Sequence, residues 1–200
     1  MTKLILVRHA LTNDNQSSRL SGHIDSTVSE DGKKQIKKLT DYLKNVHIDK
    51  IYTTTSKRTK DTVYELSNLK SINIIEKENL KEINFGDFEG MTFDEIKFKH
   101  PEEFQKMINE GYNYKYPNGE SLIMTYGRVA KEVDEIILDN KNKTVLICSH
   151  GGTIRNIITH LISSSYEYHW NFRIDNASIS ILEVENGFAV INTMNNTNFN

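Results

Sequence analysis

The plainest pattern along the chain is two apolar runs that each end in a histidine. Leu4-Ile5-Leu6-Val7 leads into Arg8-His9-Ala10, and Val145-Leu146-Ile147-Cys148 leads into Ser149-His150-Gly151-Gly152. Four consecutive apolar residues leave no polar face, which marks strands covered on both sides, as in parallel sheets. Each run therefore predicts a strand carrying a histidine at its carboxyl tip, where open α/β sheets bind ligands. Between the two, residues 10–28 are polar and read as a loop. Ser29 is an N-cap with Glu30 and Asp31 at the positive end of a helix dipole. Ile36, Leu39, Leu43 and Val46 recur at spacings of three and four, predicting an amphipathic helix to about Val46. A second strand is expected at Lys50–Thr54, then Ser56-Lys57-Arg58 and a short helix through about Leu66, then a third strand from Ile72 to Ile75.

Residues 76–118 are the least regular stretch, with helices expected over Thr92–Lys99 and Pro101–Asn109, the second opened by proline at its favoured first position. Tyr112, Tyr114 and Tyr116 alternate like a strand, but Pro117 and the flanking Gly and Asn argue for a loop. A long helix from Glu120 is marked by Leu122, Tyr126, Val129, Val133, Ile136 and Ile137, followed by the strand at 143–149 and a helix opening at Gly151-Gly152. Ile179–Val184 and Phe188–Thr193, joined through Asn186-Gly187, predict a terminal hairpin, with Asn195–Asn200 frayed. Helices alternating with strands and a closing hairpin imply a three-layer α/β/α sandwich. Its sheet should be mostly parallel with an antiparallel edge, in a single domain over residues 1–200.

Composition narrows the partners. The 200 residues carry a net charge of -2, so bulk electrostatics give no support to a nucleic-acid or acidic-membrane partner. Anion recognition must come from a few placed cations. The single cysteine, Cys148, excludes an internal disulfide and a multi-cysteine metal site, and its apolar strand predicts an inert thiol. The few apolar residues before Arg8 are too short for a signal peptide core, and no apolar run is long enough to cross a bilayer. A cytoplasmic protein is expected.

The chemistry starts at Arg8-His9. A histidine at a strand tip can be a nucleophile, a general base or a metal ligand. The guanidinium beside it favours phosphate or carboxylate, whose oxygens match its planar fork, and disfavours a metal cation. Arg58, after the second strand, would bring a second fork. Leu80 through Gly90 sets two glycines and three carboxylates, Glu82, Asp87 and Glu89, among aromatic residues, which suggests a shaped loop bearing a general acid. Composition alone does not say which carboxylate.

Taken in order, these segments resemble the histidine phosphatase superfamily, also called phosphoglycerate mutase-like. The marks are Arg8-His9 with Thr12 and Asn15, Arg19-Leu20-Ser21-Gly22-His23-Ile24-Asp25, Ser56-Lys57-Arg58-Thr59 with Thr62, Leu80–Gly90, Pro117-Asn118-Gly119-Glu120-Ser121 and Ser149-His150-Gly151-Gly152-Thr153-Ile154-Arg155. Asn176-Ala177-Ser178 is a weaker late match. The resemblance implies a phosphoglycerate mutase-like fold and a phosphohistidine intermediate at His9. Arg8, Arg58 and His150 would line the phosphate pocket, with Glu82 as proton donor. Asn15, Ser21, Gly22 and Gly151 would be accessory substrate-binding positions. Arg155 is expected to support the site. Tyr112, Tyr114, Tyr116, His23 and Trp170 could line a leaving-group pocket or simply pack, with packing favoured for Trp170. No cofactor and no metal are implied. The chain departs from the family at Ala10, where glycine is usual, and at Thr55 and Lys57. If position 10 needs a positive φ, alanine costs about 1 kcal/mol.

Two activities fit this family. Mutases resemble the chain at its core but cover the site with extra sequence; here the Gly90–Ser121 segment is compact, which favours water as the acceptor and hence a phosphatase of a small phosphomonoester. The Pro117–Ser121 segment and the length are similar to α-ribazole phosphatases. The alternatives are a cofactor-dependent phosphoglycerate mutase and a non-catalytic phosphate-binding module. The substrate stays open among α-ribazole phosphate, phosphoglycerate and other sugar phosphates, and a homodimer is compatible with the sequence.

Overall fold

A computed structural model describes residues 1–199. The strands β1 (Thr2–Arg8), β2 (Lys50–Thr53), β3 (Ile74–Glu76), β4 (Thr144–Ser149), β5 (Ile179–Glu185) and β6 (Phe188–Asn196) form one sheet in the order β3-β2-β4-β1-β5-β6. The first four are parallel; β5 pairs antiparallel with β1, and β6 with β5. The helices are α1 (Asn13–Gln16), α2 (Glu30–Leu43), α3 (Lys57–Lys70), α4 (Phe93–Lys99), α5 (Pro101–Glu110), α6 (Leu122–Asp139) and α7 (Gly151–Ser163). The mostly parallel sheet with an antiparallel edge is the one the hydrophobic pattern implies. No helix among the described residues is long and apolar enough to cross a membrane.

Alternation along the buried strands divides them between two cores. Leu4, Leu6, Val145 and Ile147 pack on Val129, Val133, Ile154 and Ile158 of α6 and α7. Ile5, Val7, Leu146 and Cys148 face Leu39 and Leu43 of α2 and Val63 and Leu66 of α3. Each Leu or Ile so buried contributes roughly 1.5–3 kcal/mol. A third cluster gathers Leu20, Phe88, Ile96, Tyr114 and Tyr116 against Phe104 and Met107 of α5.

The topology creates the site. The chain leaves β1 for β2 and returns as β4 between them, so the strand order switches at the β1–β4 boundary, where α/β sheets open a ligand crevice. In register, Arg8 lies opposite Ser149, which sets His9 and His150 side by side just beyond the sheet.

Several boundaries differ from the sequence reading. Helix α2 stops at Leu43, not near Val46. Helix α3 continues to Lys70 and is capped by Ser71, which turns left-handed (φ 55°); Ile72 therefore lies in the closing turn, its amide donating to Ser67 O at 3.0 Å, and the third strand begins only at Ile74. The polar stretch after β1 contains the one-turn α1, closed by a capping box between Thr12 and Asn15. Helix α6 starts at Leu122 because the Ser121 hydroxyl accepts from Met124 N. The tyrosine segment holds a 3-10 turn over Gly111–Asn113 and a bridge from Lys115 to Ser121, with no strand. Strand β6 runs to Asn196, past the expected fraying point; Asn200 lies outside the described residues. The hairpin turn is as expected: Asn186 and Gly187 have φ of 50° and 79°, the left-handed pair of a type I′ turn.

Candidate active site

His9 is fixed from every side. Its amide donates to Ser149 O at 2.9 Å, and its carbonyl accepts from Asn176 Nδ2 at 3.1 Å and Ala177 N at 3.2 Å. The ring Nδ1 lies 2.8 Å from Ala10 O, which can only accept, so Nδ1 carries the proton and Nε2 keeps its lone pair. Burial, followed by the nearby Arg58 and Arg8 charges, holds the pKa of His9 well below the ordinary histidine value. Neutral, oriented and 4% exposed, its imidazole has the state a nucleophile needs. Ala10 is buried and does not adopt a positive φ, so it carries no backbone cost; its amide donates to Thr62 Oγ1 at 2.9 Å.

His150 caps the N-terminus of α7, and its ring centroid is 5.3 Å from that of His9. Its Nε2 meets Thr54 Oγ1 at 3.1 Å. Burial first, then the charge of Arg58, lowers its pKa well below the usual value, so both rings are neutral between two guanidinium groups. Arg8 donates through Nη1 to Ile174 O at 2.7 Å. The fork expected from Arg58 is turned onto backbone instead: its terminal nitrogens hold the carbonyls of Ile24, Ser21 and Gly22 at 2.7–3.0 Å, and the residue is 1% exposed. Burial lowers the pKa of both arginines and Glu82 raises it. Among the described residues, the buried side-chain nitrogens with no hydrogen-bond partner are Arg8 Nε, Arg58 Nε and His150 Nδ1, all from this cluster. Buried polar nitrogens are rarely left without a partner; Arg8 Nε and Arg58 Nε are donors, and His150 Nδ1 is one when its Nε2 accepts from Thr54 Oγ1. Two fixed positive charges and three such nitrogens beside a neutral His9 make a receptor for a compact anion.

Glu82 reaches the same place from the loop between β3 and α4. Its Oε2 accepts from Gly152 N at 2.9 Å and its Oε1 from Ile83 N at 3.1 Å. Gly152 is needed here: a Cβ on it would sit 2.5 Å from Glu82 Oε1. The other two carboxylates of the loop have different work. Glu89 accepts from the amides of Gly22, His23 and Phe85, and Asp87 accepts from Asn118 Nδ2.

The loop carrying Glu82 is gripped by a residue that the sequence reading missed. Arg128 of α6 donates to the carbonyls of Asn79, Lys81 and Glu82 at 2.8–2.9 Å and forms a bidentate pair with Glu120, both contacts at 2.8 Å. Glu120 also accepts from Asn84 N at 3.0 Å. Ser149 and Thr153 fasten the far side through Leu80 O and Lys81 O. Thr54 and Asn176 are further supports with no strong local signal; only the fold brings them to His150 and His9.

Of the expected accessory positions, Gly22 lies under Arg58, and a Cβ there would be 2.0 Å from Ile83 O. Gly151 packs on Arg8, whose Nε would be 3.3 Å from an added Cβ. Ser21 offers its carbonyl to Arg58 and its hydroxyl to Asp14. Asn15 is joined to His9 indirectly, since Asn176 Nδ2 bridges Asn15 Oδ1 and His9 O.

A cavity of about 450 Å³ adjoins the cluster, with Glu82 and Gly152 in its wall. Trp170, expected to pack, is 65% exposed and lines this cavity, with the Arg155 guanidinium 5.4 Å over its ring. Arg155 also lines it, anchored by Nε to Phe172 O at 2.8 Å.

Known proteins share this sequence pattern and fold. The chain is 36% identical to phosphoserine phosphatase 1 of Hydrogenobacter thermophilus over 98% of its own length and 93% of the relative's. It is 29% identical to a 2,3-bisphosphoglycerate-dependent phosphoglycerate mutase of Parvibaculum lavamentivorans, over 94% and 93%. A phosphoserine phosphatase variant from Entamoeba histolytica, solved with phosphoserine, superposes with a TM-score of 0.86 at 26% identity, covering 100% of this chain and 99% of that one. The α-ribazole phosphatase of Shigella flexneri shares the fold at a TM-score of 0.92 and 24% identity, over 98% and 96%. The family model described as histidine phosphatase superfamily (branch 1) matches residues 4–197, and the chain belongs to that family.

Proposed function

We propose that the protein is a phosphatase that hydrolyses a small phosphomonoester through a phosphohistidine at His9, with Glu82 as the proton donor. The observation that carries the reading is the set of three unpartnered buried nitrogens, on Arg8, Arg58 and His150, around a neutral His9 whose Nε2 is free to attack. The relatives named for phosphatase activity support the same class.

In the first step the Nε2 lone pair forms a bond to phosphorus as the bond to the ester oxygen breaks, and protonated Glu82 gives its proton to the departing alkoxide. In the second, water attacks phosphorus, Glu82 takes the water's proton, and the P–N bond breaks to return neutral His9. Arg8, Arg58 and His150 hold the phosphoryl oxygens through both, the kind of fixed charge worth about 10²–10³ in rate per donor. The general acid adds typically 10²–10⁴.

Hydrolysis of p-nitrophenyl phosphate by wild type and His9→Ala tests the reading. We expect His9→Ala to lose at least a thousandfold; equal rates would remove His9 as nucleophile. Glu82→Gln should slow alkyl phosphates far more than p-nitrophenyl phosphate, whose leaving group needs little protonation. Incubation with phosphoglycerates separates the mutase alternative: isomer interconversion faster than phosphate release would favour it.

A further inference from the structure

The cavity beside Glu82 carries chemistry of its own. Phe85, Phe93, Met107, Ile108, Leu122 and Trp170 give it apolar walls. Its hydroxyls are committed to protein partners, whereas the Arg155 terminal nitrogens and Asn156 Nδ2 make no hydrogen bond to protein among the described residues. The hydroxyls of Tyr112 and Tyr114 donate to Glu167 O at 3.0 Å and Glu103 Oε2 at 2.9 Å, and that of Tyr116 points to Met107 Sδ at 3.9 Å. Thr125 Oγ1 donates to Ser121 O at 3.1 Å. His169 Nδ1 and Asn156 Oδ1 satisfy each other at 2.8 Å, and burial drops the pKa of His169 to about 3, keeping it neutral. Among the described residues, the one carboxylate in the wall is Glu82, already engaged by two backbone amides, and the one permanent cation is Arg155.

We propose that this cavity receives the leaving group and selects one that is apolar, alkyl or aryl, without an ammonium group. The inference rests on the phosphatase reading above. A hydrocarbon or ring displaces water from the aromatic walls at no polar cost, and an aryl group can stack beside Trp170. An amino-acid leaving group, such as that of phosphoserine, brings an ammonium for which the wall has no uncommitted carboxylate; Arg155 can meet the carboxylate beside it but opposes the ammonium, which is left buried without a partner. The cavity, at about 450 Å³, is within the range of sites that enclose small ligands and is far larger than a serine side chain needs.

The test compares kcat/KM for ethyl phosphate, butyl phosphate and O-phosphoserine by phosphate release, with p-nitrophenyl phosphate as a check on turnover. Ethanol and butanol have closely matched acidities, so Glu82 faces the same demand in both. Each methylene buried in the cavity should raise kcat/KM about fourfold, giving roughly tenfold or more from ethyl to butyl. Phosphoserine should fall at or below ethyl phosphate. Trp170→Ala and Phe93→Ala alter exposed side chains, so folding is retained, and each should cut the butyl-to-ethyl ratio at least threefold. A flat ratio, a preference for phosphoserine, or a ratio unchanged in both variants overturns the leaving-group assignment while p-nitrophenyl phosphate is still hydrolysed. No turnover of any ester overturns the phosphatase reading and this inference with it.

Discussion

Gly152→Ala separates catalysis from folding at a single methyl group. The glycine is the second residue of α7, with its φ outside the positive range, so alanine fits the backbone and gains up to about 1 kcal/mol of helix propensity. The added Cβ would lie 2.5 Å from Glu82 Oε1, 3.1 Å from Cδ and 3.2 Å from Oε2. Ordinary contact requires the carboxyl group to retreat by roughly an ångström, and the 2.9 Å bond from Gly152 N to Oε2 is lost with it. A displacement of that size at a reacting group costs about 10²-fold, or about 2.7 kcal/mol in the barrier. We therefore expect kcat/KM for butyl phosphate to fall about a hundredfold and that for p-nitrophenyl phosphate less than tenfold, with Tm within a few degrees of wild type. Steady-state kinetics on both esters and a thermal melt measure all three. Butyl phosphate turnover within threefold of wild type would refute the placement of Glu82 as the leaving-group acid.

Arg128→Met removes the grip on the Glu82 loop and leaves Glu120 without its partner. We expect about 2 kcal/mol of lost stability, a Tm lower by roughly 4–8 °C, and a loss again steeper for alkyl than for aryl esters; uniform losses would mean that Arg128 serves the fold only. Gly22→Ala should express poorly or melt early, because its Cβ would meet the backbone oxygen of Ile83 at 2.0 Å; a normal melt would contradict the packing of that loop. His9, His150 and His169 all have pKa values lowered by burial, so the unfolded chain takes up protons below pH 6.5 that the folded chain does not. Their contribution to stability is present above that pH and is lost as pH falls, at about 1.4 kcal/mol per unit for each histidine. Tm should drop steeply between pH 6.5 and 5, before most carboxylates titrate; a constant Tm there would contradict neutral burial of these rings.

The parts legible in the sequence are those where burial follows directly from local pattern. Leu4–Val7 and Val145–Cys148 are apolar on both faces because helices cover both, which puts His9 and His150 at strand tips; that the two tips are neighbours follows from the pairing of β1 with β4. Asn186-Gly187 determines its turn because few other pairs tolerate two left-handed residues. What stayed hidden depends on contacts far apart in the chain. Arg128 looks like any charge on an amphipathic helix, and only the packing of α6 beside the 79–82 loop sets it to work. Arg58 was legible as a cation, but not the orientation that spends its fork on Ser21, Gly22 and Ile24. For Trp170 the sequence left packing and pocket lining both open, and only the fold shows it 65% exposed at the wall of the cavity.

The most direct test of the central claim is to trap the intermediate. Wild-type protein mixed with p-nitrophenyl phosphate is quenched in base within milliseconds, digested and mapped by mass spectrometry under conditions that preserve phosphoramidates. The account predicts one phosphate per chain at steady state or less, on the imidazole of His9, with the mark absent from His9→Ala and longer-lived in Glu82→Gln, where hydrolysis of the P–N bond lacks its base. Phosphate on another residue of an active enzyme, or a mark that persists in His9→Ala, would contradict it.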